Sequence, residues 1–121
     1  MKIEKTTYNY DDKLDILDIK VNKCHVYKES ICLDAGIYLD FDENYSPVFF
    51  EFIDASKRLK IDKKHLKNPN VKVSINISNA LINFNLCISY YMENEIVNES
   101  FNRNIANNYN IPDMEENFAL I

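Results

Sequence analysis

Val71-Lys72-Val73-Ser74-Ile75-Asn76-Ile77-Ser78-Asn79-Ala80-Leu81-Ile82-Asn83-Phe84-Asn85-Leu86-Cys87-Ile88-Ser89-Tyr90 alternates apolar and polar side chains with a step of two. Val71, Val73, Ile75 and Ile77 fall on one face, with Lys72, Ser74, Asn76 and Ser78 on the other. Ile82, Phe84, Leu86, Ile88 and Tyr90 repeat the pattern against Asn83, Asn85, Cys87 and Ser89. Successive side chains on a strand point to opposite faces, so each run has one buried and one wet face. Ser78-Asn79 suits a tight turn between them, and the stretch is predicted to be a β-hairpin.

Outward from this hairpin the chain stays β-like. Leu17, Ile19 and Val21 alternate with Asp18 and Lys20 after an Asp11-Asp12-Lys13 turn. Ile37, Leu39 and Phe41 alternate with Tyr38, Asp40 and Asp42; beyond Glu43 to Pro47 the chain returns as Val48, Phe50 and Phe52. Phe49 and Ile53 are apolar on the other face, which predicts cover on both sides of that strand. Weaker strands are expected over residues 3–8, 26–33, 96–101 and 118–121. Helical signals are confined to the middle, where Asp54 is expected to cap residues 55–59 and Asp62 residues 63–67. Leu59, Ile61 and Leu66 would pin these turns to a sheet. The βαβ alternation of nucleotide-binding folds is missing.

The 121 residues suit one domain, 1–121, large enough to bury a core. It divides into a first β-meander over 1–56, a basic short-helix linker over 57–70 and a second β-meander over 71–121. The fold class expected is mainly β: two antiparallel meanders packed as a sandwich or an open barrel. Apolar residues make up 46%, with seven Phe and eight Tyr, which argues against disorder. Residues 1–10 have no apolar h-region, and no apolar run reaches the length of a membrane span. Cys24, Cys32 and Cys87 cannot all pair within one chain, so reduced thiols and a cytoplasmic location are expected.

Gly36-Ile37-Tyr38-Leu39-Asp40-Phe41-Asp42-Glu43-Asn44, followed by Phe50-Glu51-Phe52-Ile53 and Asp54-Ala55-Ser56-Lys57-Arg58-Leu59, resembles a family of small prokaryotic proteins, domain of unknown function 2283. The Met1-Lys2-Ile3-Glu4 opening fits the same pattern. The resemblance covers residues 1–60 and implies a small β-meander ending in a short helix. It also implies kinship with partners in small two-gene modules of the toxin–antitoxin kind. Tyr45 and Phe49 stand where the family has Gly, so a positive φ is not expected at Tyr45.

Charge is uneven. Residues 1–56 hold six Lys/Arg against twelve Asp/Glu, residues 57–72 hold seven against one, and residues 73–121 hold one against six. The balances of −6, +6 and −5 sum to the net −5. Lys57, Arg58, Lys60, Lys63, Lys64 and Lys67 form the basic stretch, but it is short, lacks aromatics and lies between acidic halves. It reads as a solvated face or a contact for another subunit rather than a nucleic-acid site.

Asp40, Asp42, Asn44, Ser46, Val48 and Glu51 follow the spacing of a calcium loop, yet Tyr45 replaces the required Gly and strands replace the flanking helices. The same carboxylates with Asp54 lack a histidine or a glycine-rich loop to make an acid/base site. Ser56 and Lys57, adjacent on a helix, point apart. Cys24, His25 and Cys32 lack a fourth metal ligand, and His65 reads as exposed. No cofactor or metal is expected. The candidate functional surface comprises Asp40, Asp42, Glu51, Lys57 and Arg58, with Tyr38, Phe49, Tyr90 and Tyr91 as a contact patch. The expected role is a non-enzymatic interaction module, as a homodimer or with a small protein partner, away from membranes. The alternative is a small ligand-binding protein or acidic-site enzyme using the 40–51 hairpin.

Overall fold

The computed structural model describes residues 3–120, so what the sequence predicts for Met1, Lys2 and Ile121 lies outside the described residues. Nine strands build it: β1 (Ile3–Asp11), β2 (Ile16–Val21), β3 (Tyr27–Asp34), β4 (Ile37–Asp42), β5 (Pro47–Ile53), β6 (Asn70–Ile77), β7 (Leu81–Met92), β8 (Glu95–Ala106) and β9 (Met114–Ala119). A five-residue helix, α1 (Ala55–Leu59), and a 3₁₀ turn over Lys63–His65 link β5 to β6. The strands form one sheet in the order β3-β4-β5-β2-β1-β9-β6-β7-β8.

The predicted hairpin is β6–β7, paired from Asn70↔Ser89 to Ile77↔Ile82, with the Ser78 N–H closing its turn on the Leu81 carbonyl at 2.8 Å. Its apolar face is buried as the alternation requires. The two meanders are not separate sheets. Parallel pairing of β1 with β9, Ile3↔Asn117 through Lys5↔Ala119, joins them edge to edge. The sheet then curls until its outer strands β3 and β8 approach, giving the open barrel rather than the sandwich. Arg103 on β8 pairs with Asp34 on β3 across this seam at 3.0 Å.

Curling brings the apolar faces of the halves together. Phe50 and Phe52 of β5 meet Phe84 of β7 at ring-centroid distances of 5.8 and 5.9 Å. Phe118 and Phe101 close on the same two rings at 5.3 and 5.7 Å. Such tilted and edge-on pairs add attraction to the burial of large rings. Phe49 and Ile53, on the outer face of β5, are half-buried.

The linker spans one end of the barrel. Ile61 and Leu66 are buried and Leu59 packs against the core, as their spacing predicts. The caps differ from expectation. Asp54 takes a left-handed φ of 55° and makes no side-chain cap bond; Asp62 makes none either. The cap of α1 comes from Asp15, on the β1–β2 loop.

Candidate functional site

The outer face of β2, β4 and β5 carries the acids. Register sets Glu51 opposite both Asp18 and Tyr38, and Asp40 opposite Phe49. Like charges directly across a strand pair repel. Partial burial pushes the Glu51 carboxyl up, and Asp18 and Asp40 add to that. Burial also raises Asp18, against a hydrogen bond from Asn9 that lowers it. Asp18 was absent from the candidate surface, although the alternation of Leu17, Ile19 and Val21 already turned it outward. The Ser30 hydroxyl donates to Asp40. Among the described residues no group of three His, Cys, Asp or Glu side chains is placed to hold a metal.

Asp42 lies apart from these acids. The strand pairing shifts register between Asp40 and Phe41, and Asp42 is buried in the β4–β5 turn. Its Oδ1 accepts the N–H groups of Asn44 and Ser46, each at 2.9 Å, and Lys23 approaches its other oxygen at 3.9 Å. This carboxylate holds the turn in the form that gives Tyr45 a φ of 59°, contrary to expectation. The Tyr45 ring packs against the core with the Lys28 ammonium 4.0 Å from its centroid, contacts that offset the strain of the left-handed backbone.

Arg58 likewise serves the fold. Its Nε donates to the Ile53 carbonyl at 2.6 Å, and its guanidinium covers Gly36, whose φ is +82°. A Cβ at position 36 would stand 2.6 Å from the Arg58 Cζ, so any other residue would displace the guanidinium in addition to straining the positive φ. Lys57 is exposed. Lys63 donates to the Asp12 carbonyl and Lys67 pairs with the Asp12 carboxylate at 3.3 Å.

A second polar cluster ties the helix to the β1–β2 loop. Asp15 Oδ1 accepts from the Ser56 N–H at 3.0 Å and from the Tyr10 hydroxyl at 2.6 Å, while Oδ2 accepts from the Ser56 hydroxyl at 2.7 Å. Burial works to raise the Asp15 carboxyl, but these bonds and Lys63 outweigh it and hold it below its ordinary value. Ser56 is thus a capped first-turn serine.

The aromatic patch divides. Tyr38 and Phe49 lie on the first half of the sheet, Tyr90 and Tyr91 near the β7–β8 turn. Tyr90 is half-buried and stacks on His65 at 4.3 Å, so His65 is not simply exposed. Beyond it, Tyr91 (72% exposed), Met92 (48%) and Ile96 (60%) crown the hairpin. Glu93 and Asn94 form its two-residue turn, both with positive φ.

Residues 7–56 match the family described as protein of unknown function (DUF2283). Over 109 residues the chain is 32% identical to a Methanosarcina mazei protein named putative hypoxanthine phosphoribosyltransferase, an alignment covering 88% of this chain and 86% of that protein. That likeness therefore runs into the second half. No solved structure matches the chain. The chain thus carries, over residues 7–56, the stretch that defines the DUF2283 family of proteins of unknown function, and that stretch ends at Ser56, the residue that Asp15 caps.

Proposed function

We propose that this protein is a non-enzymatic interaction module acting in the cytoplasm. The observation that carries the reading is the end of the β7–β8 hairpin, where Tyr91 and Ile96, paired directly across the strands and so on one face, are both exposed, with Met92 exposed on the other face. Contiguous exposed apolar side chains mark contact surfaces, and tyrosine and methionine are enriched at them. The chemistry-bearing residues lend further support, because Asp42, Arg58, Asp15 and Ser56 are each engaged in holding a turn or a helix end. The thiols of Cys24, Cys32 and Cys87 are free, which suits a reducing compartment. No helix among the described residues is long and apolar enough to cross a membrane. A photo-crosslinking side chain at position 91, introduced in living cells, tests the reading. Capture of a defined protein chain is expected; labelling of nothing but solvent or small molecules would overturn it.

Two observations favour an enzyme as the second reading. One is the raised carboxyls of Glu51 and Asp18. The other is the name of the Methanosarcina mazei relative, which implies phosphoribosyl transfer to hypoxanthine. A phosphate cradle needs free backbone N–H groups, commonly at a helix start or a glycine-rich loop. Here the α1 start is capped by a carboxylate and Gly36 is covered by Arg58. The acids on the outer face would repel a diphosphate. Incubation with hypoxanthine and a phosphoribosyl donor, with nucleotide formation as readout, separates the two readings.

A further inference from the structure

β8 is one of the two ends of the sheet and pairs only with β7. All 12 of its residues are in register with that strand, from Glu95 opposite Met92 to Ala106 opposite Leu81, without a bulge. β3, at the other end, has its register broken twice. Edge strands are commonly blunted by bulges, proline or lysine, and β8 carries none of these. The Asn107 N–H reaches the Ala80 carbonyl at 2.9 Å, which fixes the alternation so that odd-numbered residues of β8 bond to β7. Ile96, Asn98, Ser100, Asn102 and Asn104 therefore direct their N–H and C=O groups outward, and all are exposed.

We propose that this edge binds the same edge of a second copy, antiparallel and centred on Phe101, so that one sheet runs through both chains. Reversed about Phe101, the strand is its own chemical complement. Ser100 falls opposite the partner's Asn102, Asn98 opposite the partner's Asn104 and Val97 opposite the partner's Ile105. Glu99 falls opposite the partner's Arg103. Two-fold symmetry makes each of these pairs twice. The register also obeys the hydrogen-bond alternation, because it sets outward-facing residues against outward-facing residues. Other centres fail. Centring on Glu99 or on Arg103 sets a charge against its own copy, centring on Ser100 sets Glu99 against Phe101, and centring on Val97 sets Glu95 against Glu99. Charges on the core-facing side of an edge ordinarily prevent pairing; here they leave one register open.

Both charges are available to a partner. Glu99 is exposed and, among the described residues, makes no ion pair. The Arg103 guanidinium already lies at the edge, 4.2 Å over the Phe101 ring, with Nη1 donating to the outward Asn102 carbonyl at 2.8 Å. Its Nε holds Asp34 of β3, but those side chains are 42% and 45% exposed. Exposed ion pairs contribute little, so exchanging Asp34 for the partner's Glu99 costs little. No strand pairing joins β3 to β8 among the described residues, so a ladder on β8 displaces none. The surface is the edge of the hairpin rather than the exposed faces at its end, and it goes beyond the reading above.

Sedimentation equilibrium of the full chain at physiological salt tests this with two charge-reversed variants, Glu99→Arg and Arg103→Glu. Wild type is expected to be dimeric, and each variant alone to dissociate with a constant raised on the order of tenfold or more, since each sets like charges opposite one another. An equal mixture is expected to re-form a dimer, because one chain then presents two arginines and the other two glutamates at the paired positions. Ser100→Pro removes an N–H that faces outward and leaves the β7 ladder whole, so that chain is expected to fold and to be monomeric. Circular dichroism melts confirm that each variant folds. A monomeric wild type, a folded Ser100→Pro chain that stays dimeric, charge variants that stay dimeric or a mixture that stays monomeric would each overturn the proposal. If the wild type is monomeric and crosslinking at position 91 still captures another protein chain, the edge pairing fails while the module reading stands.

Discussion

Asp15 and Ser56 stand 41 positions apart, yet one carboxylate of the first receives both the backbone N–H and the hydroxyl of the second, at 3.0 and 2.7 Å. The Ala55 N–H also reaches the Asp15 carbonyl at 2.9 Å. A loop between two strands therefore caps the helix that ends the first meander. A helix of five residues has no stability of its own, so this tether decides whether α1 forms. Through α1 it also sets where the basic turn lies.

Replacing Asp15 by Asn is expected to destabilise the protein by about 1–2 kcal/mol at pH 7, since it weakens a buried cap. The carboxyl is held below its ordinary 3.8, so its contribution is complete above that value and fades as pH falls through the lower folded value. Urea unfolding at pH 7 and at progressively lower pH checks this. The gap between wild type and variant should narrow below about 3.8.

Gly36→Ala meets a positive φ and the Arg58 guanidinium together. A loss of more than about 1 kcal/mol is expected. In an Arg58→Ala background the steric part vanishes and the backbone part remains. A double-mutant cycle should therefore show G36A costing less there than in wild type.

Glu51→Gln should stabilise rather than harm. Removing a like-charge cross-strand pair with Asp18 is worth a few tenths of a kcal/mol, about 0.2–1 in general. The sign follows from the raised carboxyl. The ionised Glu51 opposes folding at neutral pH, and the opposition is relieved as pH falls through its raised value. Melting temperature against pH for both chains should converge on the acid side.

Phe84 touches Phe50 and Phe52 across the barrel, so Phe84→Ala opens the junction between the halves. A loss of about 3–5 kcal/mol is expected in chemical denaturation.

Much of the fold was legible because it rests on alternation. The buried positions of β6 and β7, the Asp11 turn and the anchoring of Ile61 and Leu66 follow from local pattern. The joining of the halves was not, since the β1–β9 pairing involves three residue pairs at opposite ends of the chain. The cap was misplaced for a related reason. Asp54 occupies the local cap position, while the carboxylate that does the capping arrives from a distant loop. At Tyr45, propensity yielded to a carboxylate two hydrogen bonds deep in the turn. The candidate surface was legible as charge but not as placement. Asp40 and Glu51 share a face, Asp42 leaves it at a register shift, and Asp18 joins it only through pairing with Glu51.

Native mass spectrometry of the protein isolated from its own cells, at near-physiological salt, bears most directly on the central claim. The account predicts the mass of two chains, or of one chain with a defined protein partner, and nothing further. A single chain carrying a reproducible small-molecule or metal mass would contradict it and return attention to Asp18, Asp40 and Glu51.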